Sequence, residues 1–352
     1  MSNVHFYWFA PTNGDGEFLG LARPQREPTP EYLIEVAQAA ERAGFEGMLV
    51  PTGIPYLDSW LVGFAIAQHT RRIKPLVAFR PGFIAPTVAA KLSATFDRFT
   101  KGRLLVNVVT GGSPKELGQD GDFLDHDERY ERTREFLDVI LKCWTGETFS
   151  HKGRFFEVRD AQLVPPLHQP GRIPIYFGGS SDIAKEIAAR YADVYLQWGE
   201  PVAQVKAQIE DVRSRAARYG RAPEFGVRLH VVVRDTEREA WDAAYRLISR
   251  IDEDVRRKMD RVFEETDSVA QRRITELVRQ GERFDKCTWT GIGKIRKGAG
   301  TALVGTPDQI EEALQDYIDA GVTHFILSGY PHAEEALRFG DDVLPRFAKI
   351  TV

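Results

Sequence analysis

Short apolar runs alternate with amphipathic helical patterns from one end of the chain to the other. Runs too short for helices read as strands. They predict strands over His5–Phe9, Gly47–Val50, Lys74–Phe79, Arg103–Val109, Pro174–Phe177, Val194–Gln197, Phe225–Val233 and His324–Leu327. The periodic stretches between them predict helices over Glu31–Ala43, Ser59–His69, Pro86–Arg98, Asp127–Trp144, Ile183–Tyr191, Pro201–Tyr219, Glu237–Ser249 and Pro307–Ala320. Thr29-Pro30-Glu31 and Thr306-Pro307-Asp308 are good helix starts, because proline at the first helical position sacrifices no hydrogen bond. Ala43-Gly44 and Ala320-Gly321 are matching stops.

Eight strands interleaved with helices, with no break in composition, predict an α/β fold: a closed (β/α)8 TIM barrel forming one domain over residues 1–352. A doubly wound sheet is the competing fold. It lacks support at its diagnostic point, since Phe9-Ala-Pro-Thr-Asn-Gly-Asp-Gly16 after the first strand is turn-rich and opens no helix. The rhythm breaks over about residues 251–299, a long insertion before the last strand. It begins in the charged pattern Asp252–Met259, continues helically through Gln271–Gln280 and ends among glycines 291, 293, 298 and 300. Such an excursion is expected either to close over a site as a mobile lid or to serve as a solvated subunit contact.

Composition narrows the partners. A formal charge of -4 with acidic and basic residues intermixed gives no basic tract for nucleic acid. No apolar stretch reaches membrane-spanning length, and the first residues show no basic stretch followed by an apolar one, so neither a membrane nor a secretory route is expected. Cys143 and Cys287 share no metal or redox spacing, which fits a reducing cytoplasm.

The chemistry gathers at strand ends. Arg228 and His230, two apart on a strand, point to the same side, and such a pair resists burial unless it is paired or faces a ligand. Arg296 in Ile295-Arg-Lys-Gly-Ala-Gly300, with Tyr330 and His332 in Ser328-Gly-Tyr-Pro-His332, completes a positively charged pocket for a small anion. Structural ion pairing for Arg228 and His230, a solvated loop for Arg296, and simple packing for Tyr330 and His332 are the plainer alternatives. Phe177-Gly-Gly-Ser-Ser-Asp182 leads from a strand into a helix, so Gly179, Ser180 and Ser181 form a candidate phosphate site or a mere helix cap. Asn107 and Thr110, with Val109-Thr-Gly-Gly-Ser113, face a planar heterocycle or its phosphate arm in the same reading. His126 and Tyr130 lie four apart at a helix start and share a face. No carboxylate-histidine cluster completes a metal site there. Trp198 ends a strand and reads as a pocket wall.

These segments also carry a family likeness. Trp8–Gly16, Pro51-Thr-Gly53, Val108–Gly111, Phe123–Tyr130, Tyr176–Asp182, Gly226–His230, Gly298–Gly305 and Leu327–His332, in order along nearly the whole chain, closely resemble the bacterial-luciferase-like flavin monooxygenases, in their alkanesulfonate monooxygenase branch. The resemblance implies reduced FMN (FMNH2) as a diffusible co-substrate supplied by a separate NAD(P)H-dependent flavin reductase. It further implies O2 as oxidant, release of sulfite and an aldehyde from an organosulfonate, and a homo-oligomer. Arg228, His230, Arg296 and Tyr330 are then expected to hold the sulfonate, with Tyr56, Trp198 and His332 around it. The cofactor falls to Asn107, Thr110, His126, Tyr130, Gly179, Ser180 and Ser181. Two features depart from the branch. Tyr56 stands where a cysteine is common, and the sequence closes soon after Pro345-Arg-Phe-Ala-Lys-Ile350 without the longer tail of some relatives. The alternatives are a monooxygenase of sulfoquinovose or another organosulfonate, a deazaflavin-dependent oxidoreductase, and a non-catalytic flavin-binding protein.

Overall fold

The computed structural model describes residues 4–347, so the opening Met1-Ser-Asn3 and the closing residues 348–352 weighed in the sequence lie outside the described residues. Eight parallel strands form the ring: β1 (His5–Phe9), β2 (Gly47–Val50), β3 (Lys74–Phe79), β4 (Leu105–Val108), β5 (Ile175–Gly178), β6 (Val194–Trp198), β7 (Glu224–Val233) and β8 (His324–Ser328). Each pairs with its successor in chain order, and β8 pairs back onto β1, which closes the barrel and excludes the doubly wound sheet. All eight are the strands expected from the apolar runs, three with the expected ends and five with an end shifted by one or two residues.

Side-chain alternation sorts the two faces of the ring. Tyr7, Phe9, Leu49, Leu76, Ala78, Leu105, Tyr176, Val194, Leu196 and Ile326 fill the interior. Their neighbours, such as Phe6, Trp8, Met48, Val77 and Phe177, pack outward beneath the helices. Near the floor of the barrel the Tyr176 hydroxyl donates to that of Tyr7 at 2.9 Å. The helices cap as anticipated: Thr29 accepts from the Tyr32 amide ahead of Pro30–Ala43, and Gly44, at φ 99°, ends that helix.

Several elements carry no strong local signal. A short helix, Pro114–Gln119, follows β4, a hairpin pairs Phe149–Lys152 with Glu157–Ala161, and a further helix, His332–Asp342, follows β8. Ala302–Gly305 is a strand outside the ring, paired in parallel with His230–Val233. Thus β7 serves two neighbours on one edge, β6 along Glu224–Arg228 and the extra strand beyond. The insertion comprises helices Glu253–Glu264 and Val269–Gln280, the short strands Arg283–Phe284 and Thr288–Trp289, and a 3-10 turn at Gly291–Lys294. No helix among the described residues is long and apolar enough to cross a membrane.

Candidate functional site

The carboxyl ends of the barrel strands, where loops converge over a rigid ring, surround a cavity of about 300 Å³. Three groups of residues build it.

The first is the turn after β5. Gly179 sits at φ 144°, and a Cβ there would lie 2.6 Å from Ala184 Cβ and 3.0 Å from the Tyr130 hydroxyl. Only glycine lets the chain pass so close to both. Ser181 then caps the helix Asp182–Tyr191, and the Tyr195 hydroxyl donates to the Gly179 carbonyl at 2.8 Å. Burial raises the Tyr130 phenol above its ordinary pKa, partly opposed by the Ser181 and Thr110 hydroxyls beside it. His126 rests against Tyr130 with ring centres 4.9 Å apart. Asp125 caps the helix His126–Trp144 that carries both.

The second group lines the middle. Asn107 Oδ1, Thr110 Oγ1 and both polar atoms of Gln197 are buried with no hydrogen-bond partner among the described residues. An orphaned buried polar atom costs about 1–3 kcal/mol. Their convergence on one cavity marks a place for a polar ligand.

The third group is the cationic end. Arg228 and Arg296 place their guanidinium carbons 4.6 and 5.3 Å from the Phe9 ring centre. Neither has a carboxylate oxygen within 4 Å among the described residues. Arg228 instead donates to Ser328 Oγ at 2.7 Å and to the Leu229 carbonyl. Burial, and then the Arg296 charge, weaken the hold of Arg228 on its proton. Burial, followed by the charges of Arg228 and Arg296, holds His230 well below the ordinary imidazole pKa. Trp198 pairs in register with Arg228, and Tyr56 stands beside Arg296.

Of the residues expected from sequence, Tyr56, Asn107, Thr110, His126, Tyr130, Gly179, Ser180, Ser181, Trp198, Arg228 and Arg296 all line this cavity. His230, Tyr330 and His332 form a layer behind its wall. Tyr330 stacks on His230 with centres 5.5 Å apart, and His332 meets Tyr330 edge-on at 4.9 Å. His332 Nδ1 in turn lies 2.9 Å from the buried carboxylate of Asp15, which also accepts from the Tyr32 hydroxyl and the His332 amide. Burial alone would raise the Asp15 pKa; the His332 charge and these hydrogen bonds outweigh it and hold it at about 2.

One cluster escaped the sequence reading. Glu116, on the helix Pro114–Gln119, accepts from Arg80 at 2.6 Å, from Lys297 at 2.6 Å and from the Ile54 amide at 2.8 Å. Lys297 also donates to the Ile54 carbonyl at 2.8 Å. Burial would raise the Glu116 pKa, and the charges of Arg80 and Lys297 bring it below the ordinary value. This knot ties the end of the insertion to the loop carrying Tyr56. The only sequence signal was the glycine at 53, whose φ of 108° and missing Cβ make room for Glu116 and Arg80. The insertion covers the cavity with Val262, Ser268, Val269 and Gln271 as well as Arg296 and Lys297. Thr266 holds it to the Gly112 carbonyl at 2.7 Å, and Arg129 pairs with Asp267.

Cys143 and Cys287 are buried, and burial pushes their thiols up to about 11 and about 12, as suits structural residues. No group of three or more His, Cys, Asp or Glu among the described residues is placed to hold a metal ion.

A closed β/α barrel with a roofed polar cavity at its strand ends defines a class of ligand-binding barrels in which chemistry sits on the loops. The chain belongs to the luciferase-like monooxygenase family, which it matches over residues 4–324. Many solved structures share its fold, among them the following three. A riboflavin lyase with modified FMN and riboflavin has a TM-score of 0.83 and 19% identity, covering 99% of this chain and 92% of that one. A long-chain alkane monooxygenase has a TM-score of 0.83 and 23% identity, covering 100% and 92%. The EDTA monooxygenase of Chelativorans sp. BNC1 has a TM-score of 0.76 and 18% identity, covering 99% and 94%.

Proposed function

We propose that this protein is an FMNH2- and O2-dependent organosulfonate monooxygenase that cleaves the carbon–sulfur bond of an alkanesulfonate, releasing sulfite and an aldehyde. The observation that carries this reading is the pair of guanidinium groups over Phe9, with no carboxylate within ion-pair distance among the described residues. A buried Arg228 and a partly buried Arg296, with no counterion beside either, call for an anionic ligand.

The remaining lining fits a flavin. The space kept free by Gly179, the hydroxyls of Ser180 and Ser181, and the start of the helix Asp182–Tyr191 suit a phosphate. The orphaned atoms of Asn107, Thr110 and Gln197 suit the polar edge of a planar ring. When bound, reduced FMN supplies two electrons to O2, of which one atom enters the aldehyde and the other leaves as water. The protein supplies position and exclusion. Arg228 and Arg296 grip the sulfonate and stabilise charge as the bond breaks. His230 stays neutral and orients them. Tyr56 and Trp198 flank the substrate, Tyr330 and His332 brace that wall from behind, and His126 and Tyr130 brace the phosphate turn. The insertion, tied down by Lys297, acts as a lid that keeps water from the reaction.

Phe9, against both arginines, and Leu49, Ala78 and Val109 elsewhere in the lining give the cavity apolar surface, which favours an alkyl chain over a sugar. Leu61, Val88 and Phe99, all exposed on two adjacent helices, give a second copy of the chain a surface to cover in a homo-oligomer. A separate NAD(P)H-dependent flavin reductase delivers the reduced cofactor.

The test is sulfite release with enzymatically supplied FMNH2, with and without O2, across methanesulfonate, longer alkanesulfonates and sulfoquinovose. Oxygen-dependent sulfite from alkanesulfonates is the expected result. Sulfite from sulfoquinovose alone would move the substrate to sugars. Silence across the panel, with reduced flavin verified, would reject the sulfonate reading.

A further inference from the structure

The two arginines are joined by one polar chain whose hydrogens can be counted. Arg228 Nη2 donates to Ser328 Oγ at 2.7 Å, and Ser328 Oγ lies 2.8 Å from His230 Nδ1. The other ring nitrogen, Nε2, lies 2.9 Å from Arg296 Nη1 and 3.0 Å from the Ala299 carbonyl. Ser328 owes this place to register: it is the direct partner of His230 across β8 and β7.

A neutral imidazole has one N–H, and its tautomer follows from the partners it meets. With the hydrogen on Nδ1, the ring donates to Ser328 and accepts from Arg296 at Nε2. Ser328 Oγ then receives two donors, its own hydrogen has no acceptor within this chain of groups, and the Ala299 carbonyl loses its ring donor. With the hydrogen on Nε2, the ring donates to Ala299, Ser328 donates to Nδ1, and Ser328 still accepts from Arg228. Every hydrogen of the serine and the histidine is then placed. Only Arg296 Nη1 is left without its acceptor, free to turn to a ligand. A hydroxyl both donates and accepts, so a serine at this position supports either arrangement.

We propose that Ser328 is a positioning residue that sets the tautomer of His230, and through it determines whether Arg296 is tethered to the ring or released to an anion in the cavity. The change conserves charge: one proton leaves Nδ1 and one arrives at Nε2, exchanged with solvent. The inference rests on the reading that the arginines hold an anionic substrate, and it does not depend on what becomes of that anion afterwards.

The experiment uses the full chain with 15N-labelled histidine, whose ring nitrogens report the tautomer in long-range 1H–15N spectra; the His230 signals are assigned by their loss in His230→Gln. The protein alone is expected to show the Nδ1–H pattern at His230, and addition of 1-octanesulfonate without flavin the Nε2–H pattern. Ser328→Ala is expected to weaken octanesulfonate binding about tenfold and raise KM for sulfite release with kcat little changed, and Ser328→Thr to restore both. The same tautomer with and without octanesulfonate, or unchanged anion affinity in Ser328→Ala, would overturn the proposal. Should Ser328→Ala not fold, the spectra of the unaltered chain decide it. If the tautomer responds to octanesulfonate while no sulfonate yields sulfite, this inference stands and the substrate assignment fails.

Discussion

Arg228 and Arg296 both lie against one phenylalanine ring and repel each other. Such an arrangement is stable only because backbone carbonyls, Ser328 and a neutral His230 absorb their donors, and it becomes favourable when a doubly accepting anion sits between them. Removing Arg296 should therefore act on binding first. Charge-assisted hydrogen bonds contribute about 1.5–3 kcal/mol, so Arg296→Ala should raise KM for an alkanesulfonate roughly 10- to 100-fold in a steady-state sulfite assay. An unchanged KM would place Arg296 outside the substrate contact. Deeper in the same wall, Asp15 contributes to stability. Its folded-state pKa of about 2 lies below the ordinary 3.8, so its contribution is fully present above pH 3.8 and is lost as the pH falls from there towards 2. The shift corresponds to about 2 kcal/mol. Asp15→Asn should lower the melting temperature at pH 6 and narrow its difference from the unaltered chain at pH 3. A constant difference across that range would contradict the linkage.

The elements around the site divide the labour between cofactor and closure. The turn Gly179-Ser180-Ser181 caps a helix; if it also holds the phosphate, as proposed, a double Ser180→Ala, Ser181→Ala change should weaken FMN binding about tenfold and leave riboflavin binding nearly unchanged, as measured by flavin fluorescence. Equal losses for both flavins would point to collapse of the turn. At the opposite rim, Lys297→Ala removes one strand of the knot around Glu116 while sparing the Arg80 pair. A loss of roughly 1 kcal/mol for this partly buried pair should loosen the insertion, increasing peroxide released per reduced flavin about fivefold. Unaltered coupling would show that the insertion closes without Lys297.

Legibility in the sequence follows the same division. Ring strands buried on both faces appear as apolar runs; Thr110 and Ser180 sit just beyond where such runs end, and Arg228 stands out as a charge inside one. Ala302–Gly305 was missed as a strand because four residues beside a glycine-rich stretch look like a turn. The layering of His230 and Tyr330 behind Arg296, and the meeting of Glu116 with Lys297, depend on packing between residues far apart in the chain. No local period records such meetings.

At the scale of the whole molecule, the ring and its roof are built on different terms. The ring is hydrogen-bonded all the way round and carries Arg228, Asn107 and the Gly179-Ser180-Ser181 turn. The roof comes from one excursion and brings Arg296 and Lys297. That excursion departs after Val233 and returns through Ala302–Gly305, which lies beside His230–Val233 with Gly305 directly opposite Val233. The two ends of the intervening chain are therefore held on paired neighbouring strands, at Val233 on one and at Ala302, opposite His230, on the other, whatever lies between them. The barrel has in effect a socket: a different excursion with the same two ends would plug into it without re-registering a single ring strand. The roof can thus be exchanged as a cassette, while the residues that the ring carries stay where it holds them.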